Sequence, residues 1–235
     1  MSEPPSIRSR ADRILDSAGE LLPRFGYRKV TIEDIASRAT IGKGTIYLHW
    51  RTKETLFEAL LLRETTDLAE DLLTGLRRDP VEVLPHRYAR ASYLIATQRP
   101  LTRALLTGDV QLIGKLTANP LRGQAAAQKY FEVMLRHGLL RTEVPNLPYA
   151  FGAVMFGFYL VDNMSPAAAL APGAKADVVA HTVLNAFEPV ERPSPEAMIA
   201  ARDDVLDTFE GLIPRYREWI YGRSGSRPPL PDDTL

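Results

Sequence analysis

Apolar side chains recur along the first thirty residues at the spacing of a single helix face. That pattern, repeated down the chain with proline between the repeats, constrains the fold more than any other feature. Ile7, Ala11, Ile14, Leu15, Ala18, Leu21, Leu22 and Phe25 keep to one stripe of a 3.6-residue helix. Gly26 supplies a left-handed residue to end it, and Pro23 should kink or tighten its last turn. Few windows alternate with period two, and no Asn-Gly hairpin signal occurs, so the expected class is all-α. Segments 81–99, 100–117, 120–140, 147–163, 174–188 and 194–221 each read as helix. Pro80, Pro100, Pro120, Pro148, Pro172 and Pro195 stand near their starts or in the turns between them.

Composition narrows the function classes. Of 235 residues, 45% are hydrophobic and 25% charged, which is globular and excludes wholesale disorder. There is no cysteine, which excludes a disulfide framework, a cysteine nucleophile and a thiolate metal site, and fits a cytoplasmic protein. No signal peptide is visible at the start, and the longest apolar run, Ala150 to Val161, is too short to span a bilayer. Formal net charge is +0, yet residues 1–63 carry 11 basic and 8 acidic side chains against 18 and 21 in the remainder. That asymmetry points to a polyanion partner for the N-terminal third. The four histidines, His49, His86, His137 and His181, are scattered, and no H-E-x-x-H, G-x-S-x-G or P-loop pattern occurs. No enzyme, metal or cofactor is expected.

The densest constellation is residues 28–57, RKVTIEDIASRATIGKGTIYLHWRTKETLF. Thr31 is an N-cap whose hydroxyl can accept from the backbone of residue 34 or nearby, and Val30 with Ile35 forms a hydrophobic staple. The second helix then runs to about Arg38, with a turn at residues 39–41. A short third helix begins at Gly42 or Lys43 and ends near Leu48 or His49. A fourth follows the cap Thr52 and runs to about Arg78. Ile35, Ala36, Ile41, Ile46 and Trp50 supply a buried seam, which leaves Lys43, Gly44, Thr45, Tyr47, Leu48 and His49 largely on the outside. In a helix-turn-helix the second helix presents such a face to base edges in the major groove. Gly44 allows close backbone approach. Thr45, Tyr47 and Lys53 can hold phosphates, as can the helix N-termini at Thr31 and Thr52. Lys43 is the best placed for a base edge, with guanine the matching base.

These residues resemble the DNA-binding domain of the TetR family of bacterial transcriptional repressors. The resemblance rests on Thr31, Ile35-Ala36, Gly44-Thr45-Ile46-Tyr47, His49-Trp50 and Lys53-Glu54-Thr55-Leu56, and covers about residues 8–60. Thr40 stands where the family commonly has Gly, Gly42 where Ser often caps the recognition helix, and Pro23 is unusual. The resemblance implies a three-helix head over 6–51 and a larger helical ligand-binding and dimerisation domain over 52–221; residues 222–235 have no apolar face and are expected to be a disordered tail. It also implies a homodimer on a near-palindromic double-stranded DNA operator, released by a small apolar effector. The implied DNA-contacting set is Thr31, Lys43, Gly44, Thr45, Tyr47, His49 and Lys53. For the effector pocket we take Tyr88, Tyr93, Thr97, Tyr130, Met134, His137, Phe151, Met155, Phe158 and Tyr159, residues that serve a packed core equally well. The 147–163 and 174–188 segments resemble the family's dimer-forming helix pair, and 194–221 either covers the pocket or extends that interface. Two other readings stay open: a DNA-binding regulator with no effector, controlled by a protein partner or constitutive, and an architectural DNA protein, which near-neutral charge disfavours. A cavity open to solvent, against a densely filled core, separates an effector-bearing body from a plain scaffold.

Overall fold

The computed structural model describes residues 5–107, 124–164 and 170–222. Among them the chain forms α1 (Pro5–Lys29), α2 (Ile32–Ala39), α3 (Lys43–His49) and α4 (Lys53–Arg78). A 3-10 turn (Pro80–Val83) leads into α5 (Pro85–Gln98) and α6 (Pro100–Thr107). The remainder is α7 (Gln124–Arg136), α8 (Leu147–Met164), α9 (Pro172–Phe187) and α10 (Pro195–Tyr221). No strand occurs among the described residues. The expected tail and part of the 100–117 segment lie outside them.

Local signals set the boundaries. The backbone of α1 breaks at Gly26 (φ 74°, ψ 157°), a combination closed to residues bearing a Cβ. Thr31 caps α2 by accepting from the Asp34 N–H (3.1 Å) while its own N–H donates to Asp34 Oδ2 (2.9 Å), a reciprocal capping box. Thr40 ends α2 in the left-handed region (φ 56°, ψ 50°), where a β-branched residue is strained. Thr52 caps α4 through the Thr55 N–H (3.1 Å). Proline occupies the first turn of α5, α9 and α10.

Two hydrophobic clusters form. The head cluster joins Ala11, Ile14, Leu15, Ala18 and Leu22 of α1 to Ile35, Ala36, Ile46, Trp50, Leu56, Phe57 and Leu60. Three residues from distant sequence complete it: Leu101 of α6, and Trp219 and Ile220 at the end of α10. Packing therefore runs across the boundary expected between residues 51 and 52. The body cluster is held by a chain of rings. Tyr88 stacks on Tyr130 (4.7 Å), Tyr130 meets Phe131 edge-on (5.7 Å), Phe131 meets Phe151 (5.4 Å), and Phe151 meets Phe187 (5.3 Å). Such pairs add about 0.5–1.5 kcal/mol each beyond their buried area.

Helix α10 belongs to both clusters. Met198, Ala201 and Val205 lie in the body core and Trp219 and Ile220 in the head core, with Pro214 inside the helix between them. Polar contacts follow its length: Asp204 with His137 (2.8 Å), Glu210 with Arg77 (2.7 Å), Arg217 with Glu70 (2.5 Å), and the Tyr221 hydroxyl donating to Asp12 (2.7 Å). The helix lies along α4.

Candidate nucleic-acid interface and effector cavity

In the head, α1 and α2 hold α3 by its apolar side. Ile46 and Trp50 are fully buried, while Lys43, Gly44, Tyr47 and Leu48 are exposed and Thr45 is half-buried. Nothing lies within 4 Å of where a Cβ on Gly44 would stand, so that point of the surface is open to a second molecule. The Lys43 ammonium pairs with Glu33 of α2, which lowers the Glu33 pKa and raises that of Lys43, and it also lies 5.8 Å from the Tyr47 ring centre. Glu33 thus orients the cation proposed to reach a base. Leu48, 57% exposed, is the apolar member of the same face and suits a thymine methyl.

Three of the residues singled out from sequence have other duties. His49 is 6% exposed, with its ring 5.3 Å from the Trp50 ring, so it belongs to the packed side of α3 and not to the outer face expected for it. The physical reason is spacing: Ile46, His49 and Trp50 stand at i, i+3 and i+4, which is one face. The Lys53 ammonium donates to the Tyr27 carbonyl and sits 4.3 Å above the Tyr27 ring, and burial lowers its pKa. Tyr27 in turn donates to Glu54 (2.9 Å) and meets Phe57 edge-on, which fastens the end of α1 to α4. The Thr31 hydroxyl both accepts from and donates to Asp34. Asp34 at α2 and Glu54 at α4 place a carboxylate in the first helical turn, where a phosphate would otherwise be favoured.

In the body, a cavity of about 360 Å³ opens between α5, α6, α8 and α9. Tyr93, Thr97, Gln98, Arg103, Tyr159, Asp162, Pro172 and Lys175 line it. Of the pocket residues expected from sequence, Tyr93, Thr97 and Tyr159 are brought together here. Tyr88, Tyr130, Met134 and Phe151 instead fill the core, and Met155 and Phe158 pack against it. His137 is taken up by Asp204. An aromatic or Met on an apolar helix face looks the same from sequence whether it meets a void or another ring. The charged members were missed. Asp162 accepts from the Tyr93 hydroxyl through Oδ2 and from Lys175 through Oδ1 (2.6 Å). Tyr93 and Tyr159 stack at 5.3 Å, and burial raises the Tyr159 pKa to about 12. Helix α10 contributes no lining residue, so it does not cover this cavity. Among the described residues no cluster of His, Asp or Glu could hold a metal ion, and no helix is long and apolar enough to cross a membrane.

A family model for bacterial regulatory proteins of the tetR family matches residues 14–60, the segment that builds the head. The N-terminal part of the chain is thus similar to tetR-family regulators. The uncharacterized HTH-type transcriptional regulator YvkB of Bacillus subtilis is 28% identical over 167 residues, 66% of this chain and 83% of that protein. The HTH-type transcriptional repressor KstR2 of Mycolicibacterium smegmatis is 29% identical over 37% of this chain and 49% of its own. Among solved structures, NalD, the secondary repressor of the MexAB-OprM multidrug efflux pump in Pseudomonas aeruginosa, superposes with a TM-score of 0.58 at 21% identity. The match covers 78% of this chain and 98% of NalD. The fold is thus that of tetR-family proteins, and the similarity supports a DNA-binding transcriptional regulator.

Proposed function

We propose that the protein is a homodimeric repressor whose two heads read a near-palindromic operator and whose body takes up a small effector that releases it. The observation that carries this reading is the outward face of α3. It holds cationic, hydroxyl, apolar and glycine positions side by side on a helix anchored by Ile46 and Trp50. Lys43, Gly44, Thr45 and Tyr47 are the DNA-contacting residues, with Lys43 on a base edge and Tyr47 on phosphate. Thr31, Lys53 and His49 support that face through the cap, the Tyr27 latch and the Trp50 packing. In this reading residues 6–51 are the reading head and 52–221 the regulatory body, and the protein works in the cytoplasm, where its DNA is.

Dimerisation is supported by the outer surface of α8 and α9. Tyr149, Phe156, Leu160 and Val161 on α8 and Val178 and Leu184 on α9 are all at least 42% exposed. A concentration of large apolar side chains of this kind marks an interaction surface, and a second copy of the same helix pair matches it. Regulation by an effector is supported by the cavity, whose wall includes α6. Arg103 of α6 lines the cavity while Leu101, two residues earlier, sits in the head core against Gly19 of α1. A ligand that favours one placement of α6 therefore biases the placement of the head.

Selection of DNA from a random pool tests the reading. The expected product is a palindrome with half-sites one helical turn apart, about 34 Å. Substituting Lys43→Ala or Tyr47→Ala weakens its binding with the dimer intact. Wild-type affinity in both variants would remove α3 from the interface.

A further inference from the structure

We propose that Glu33 is a specificity-determining residue of the reading head: it holds Lys43 so that the cation takes a guanine edge and is kept off phosphate. The proposal rests on the reading of α3 above and names how one of its contacts chooses a partner. Glu33 lies on α2 and Lys43 opens α3, and the carboxylate accepts from the ammonium. Both side chains are exposed, so the pair stands on the surface that the head presents. The other charges of α2 turn elsewhere. Asp34 accepts from the Thr31 N–H at its own cap (2.9 Å), and Arg38 donates to Glu20 of α1 (2.8 Å). Glu33 is the charge of α2 that meets α3.

A lysine by itself is a flexible point charge that suits phosphate as well as a base. The carboxylate changes that choice. An ammonium carries three donors, and Glu33 takes one of those of Lys43. The two that remain match the two acceptors, O6 and N7, that guanine shows in the major groove. The guanine edge carries no formal charge, so Glu33 stays on Lys43 while the base is read. A phosphate brings a full negative charge to the same ammonium and is repelled by the carboxylate beside it. The pair therefore lowers affinity wherever the head meets DNA without a guanine in place. Both groups are ionised at neutral pH, since their hydrogen bond lowers the pKa of Glu33 and raises that of Lys43. The Lys43 ammonium also lies 5.8 Å from the Tyr47 ring centre, one turn along the same face. The open surface at Gly44, the next residue, lets a duplex come close to the pair.

Fluorescence anisotropy of the full-length protein on the selected duplex and on a scrambled one, each across a salt series, decides the matter. Glu33→Gln removes the charge at an exposed position and keeps the shape of the side chain, so folding is not at stake. The expected result is tighter binding to the scrambled duplex and a fall of about fivefold or more in the ratio of selected to scrambled affinity. The salt dependence on the scrambled duplex should steepen by about one unit per head, because Lys43 is freed for phosphate. In a Lys43→Ala background the same Glu33→Gln change should leave that slope where it was, which separates action through Lys43 from a general loss of negative charge. An affinity ratio unchanged in Glu33→Gln, a slope change of the same size with and without Lys43, or a selected half-site that lacks guanine would overturn the proposal. The two readings fail separately. Wild type that binds both duplexes alike overturns the reading of α3 and this proposal with it. Wild type that discriminates, with Tyr47→Ala weak and Glu33→Gln silent, overturns this proposal alone.

Discussion

The head and the body both bury their apolar faces, but they treat polar groups in opposite ways. In the head, many carboxylates and hydroxyls work close to home: Asp34 on Thr31 and Thr52 on Thr55. Each fixes a helix end or a turn, and the result is a rigid block with one variable face, that of α3. In the body, polar groups meet across long stretches of sequence: Tyr93 with Asp162 and His137 with Asp204. These bonds tie helices to one another around a cavity and a ring-filled core. A reader of DNA needs a fixed shape, whereas a body that responds to a ligand needs helices whose relative placement a ligand can bias. Helix α10 joins the two, because its first half is body core and its last turn is head core.

The sharpest way to break this division is at that last turn. Trp219→Ala removes a side chain only 6% exposed from the head cluster and should cost about 3–5 kcal/mol. In chemical denaturation followed by hydrogen exchange, protection of α1 and α4 should fall along with that of α10. A loss confined to α10 would show that the head stands without it. A smaller effect of opposite sign is expected in the body. The Tyr130 hydroxyl is buried and has no hydrogen-bond partner among the described residues, and burial holds its pKa well above the ordinary value. Tyr130→Phe should raise stability by about 1 kcal/mol in urea denaturation, since an unsatisfied buried hydroxyl is lost.

Gly44→Ala sharpens the contrast between stability and function. Its Cβ meets nothing within 4 Å, so the free protein should gain up to about 1 kcal/mol from helix propensity. Affinity for the selected DNA should fall, because the added methyl stands where the duplex approaches. Unchanged affinity would mean that DNA does not come close at Gly44. The smallest expected effect is electrostatic. The hydrogen bond from His137, with Arg136 adding to it, holds the Asp204 pKa below the ordinary carboxylate range. A depressed folded-state pKa stabilises the protein above the unfolded value of about 3.9, and that contribution is lost as pH falls through the folded value. Asp204 is 39% exposed, so solvent screening keeps the contribution below about 1 kcal/mol. Thermal melts should show Asp204→Asn less stable than wild type near neutrality, with the difference closing in acid.

The head was largely legible in the sequence because its determinants are local. Thr31 and Thr52 before apolar periodicity, Gly26 after it, and the staple at Val30 and Ile35 lie within a few residues of what they control. The bounds of α2, α3 and α4 accordingly fall within a residue or so of expectation. Two side chains there lie on the other face from the one expected: His49 is buried, misread by weighting chemistry over periodicity, and Phe25, counted in the apolar stripe of α1, is 55% exposed. The body was legible only as a series of helices. Tyr93 and Tyr159 could be named, but Asp162 and Lys175 stand far from Tyr93 in the chain, and only the packing of α8 and α9 against α5 brings them to it. Nothing in the periodicity of α10 marks Trp219 and Ile220 as head residues rather than body residues, since both serve the same apolar stripe. The turn residue Thr40 shows a local rule overridden: the chain takes the left-handed conformation with a β-branched side chain because the Ile41 N–H must reach the Ala36 carbonyl (3.0 Å).

The central claim is that the outward face of α3 reads DNA for a protein acting as a dimer. Fluorescence anisotropy on the selected duplex, across a salt series, tests it most directly. Wild type should bind with two protomers per palindrome and with affinity falling steeply as salt rises, Tyr47→Ala should bind weakly, and Tyr130→Phe should bind like wild type. Weak binding that is the same for selected and scrambled duplexes, or Tyr47→Ala binding as tightly as wild type, would contradict the account.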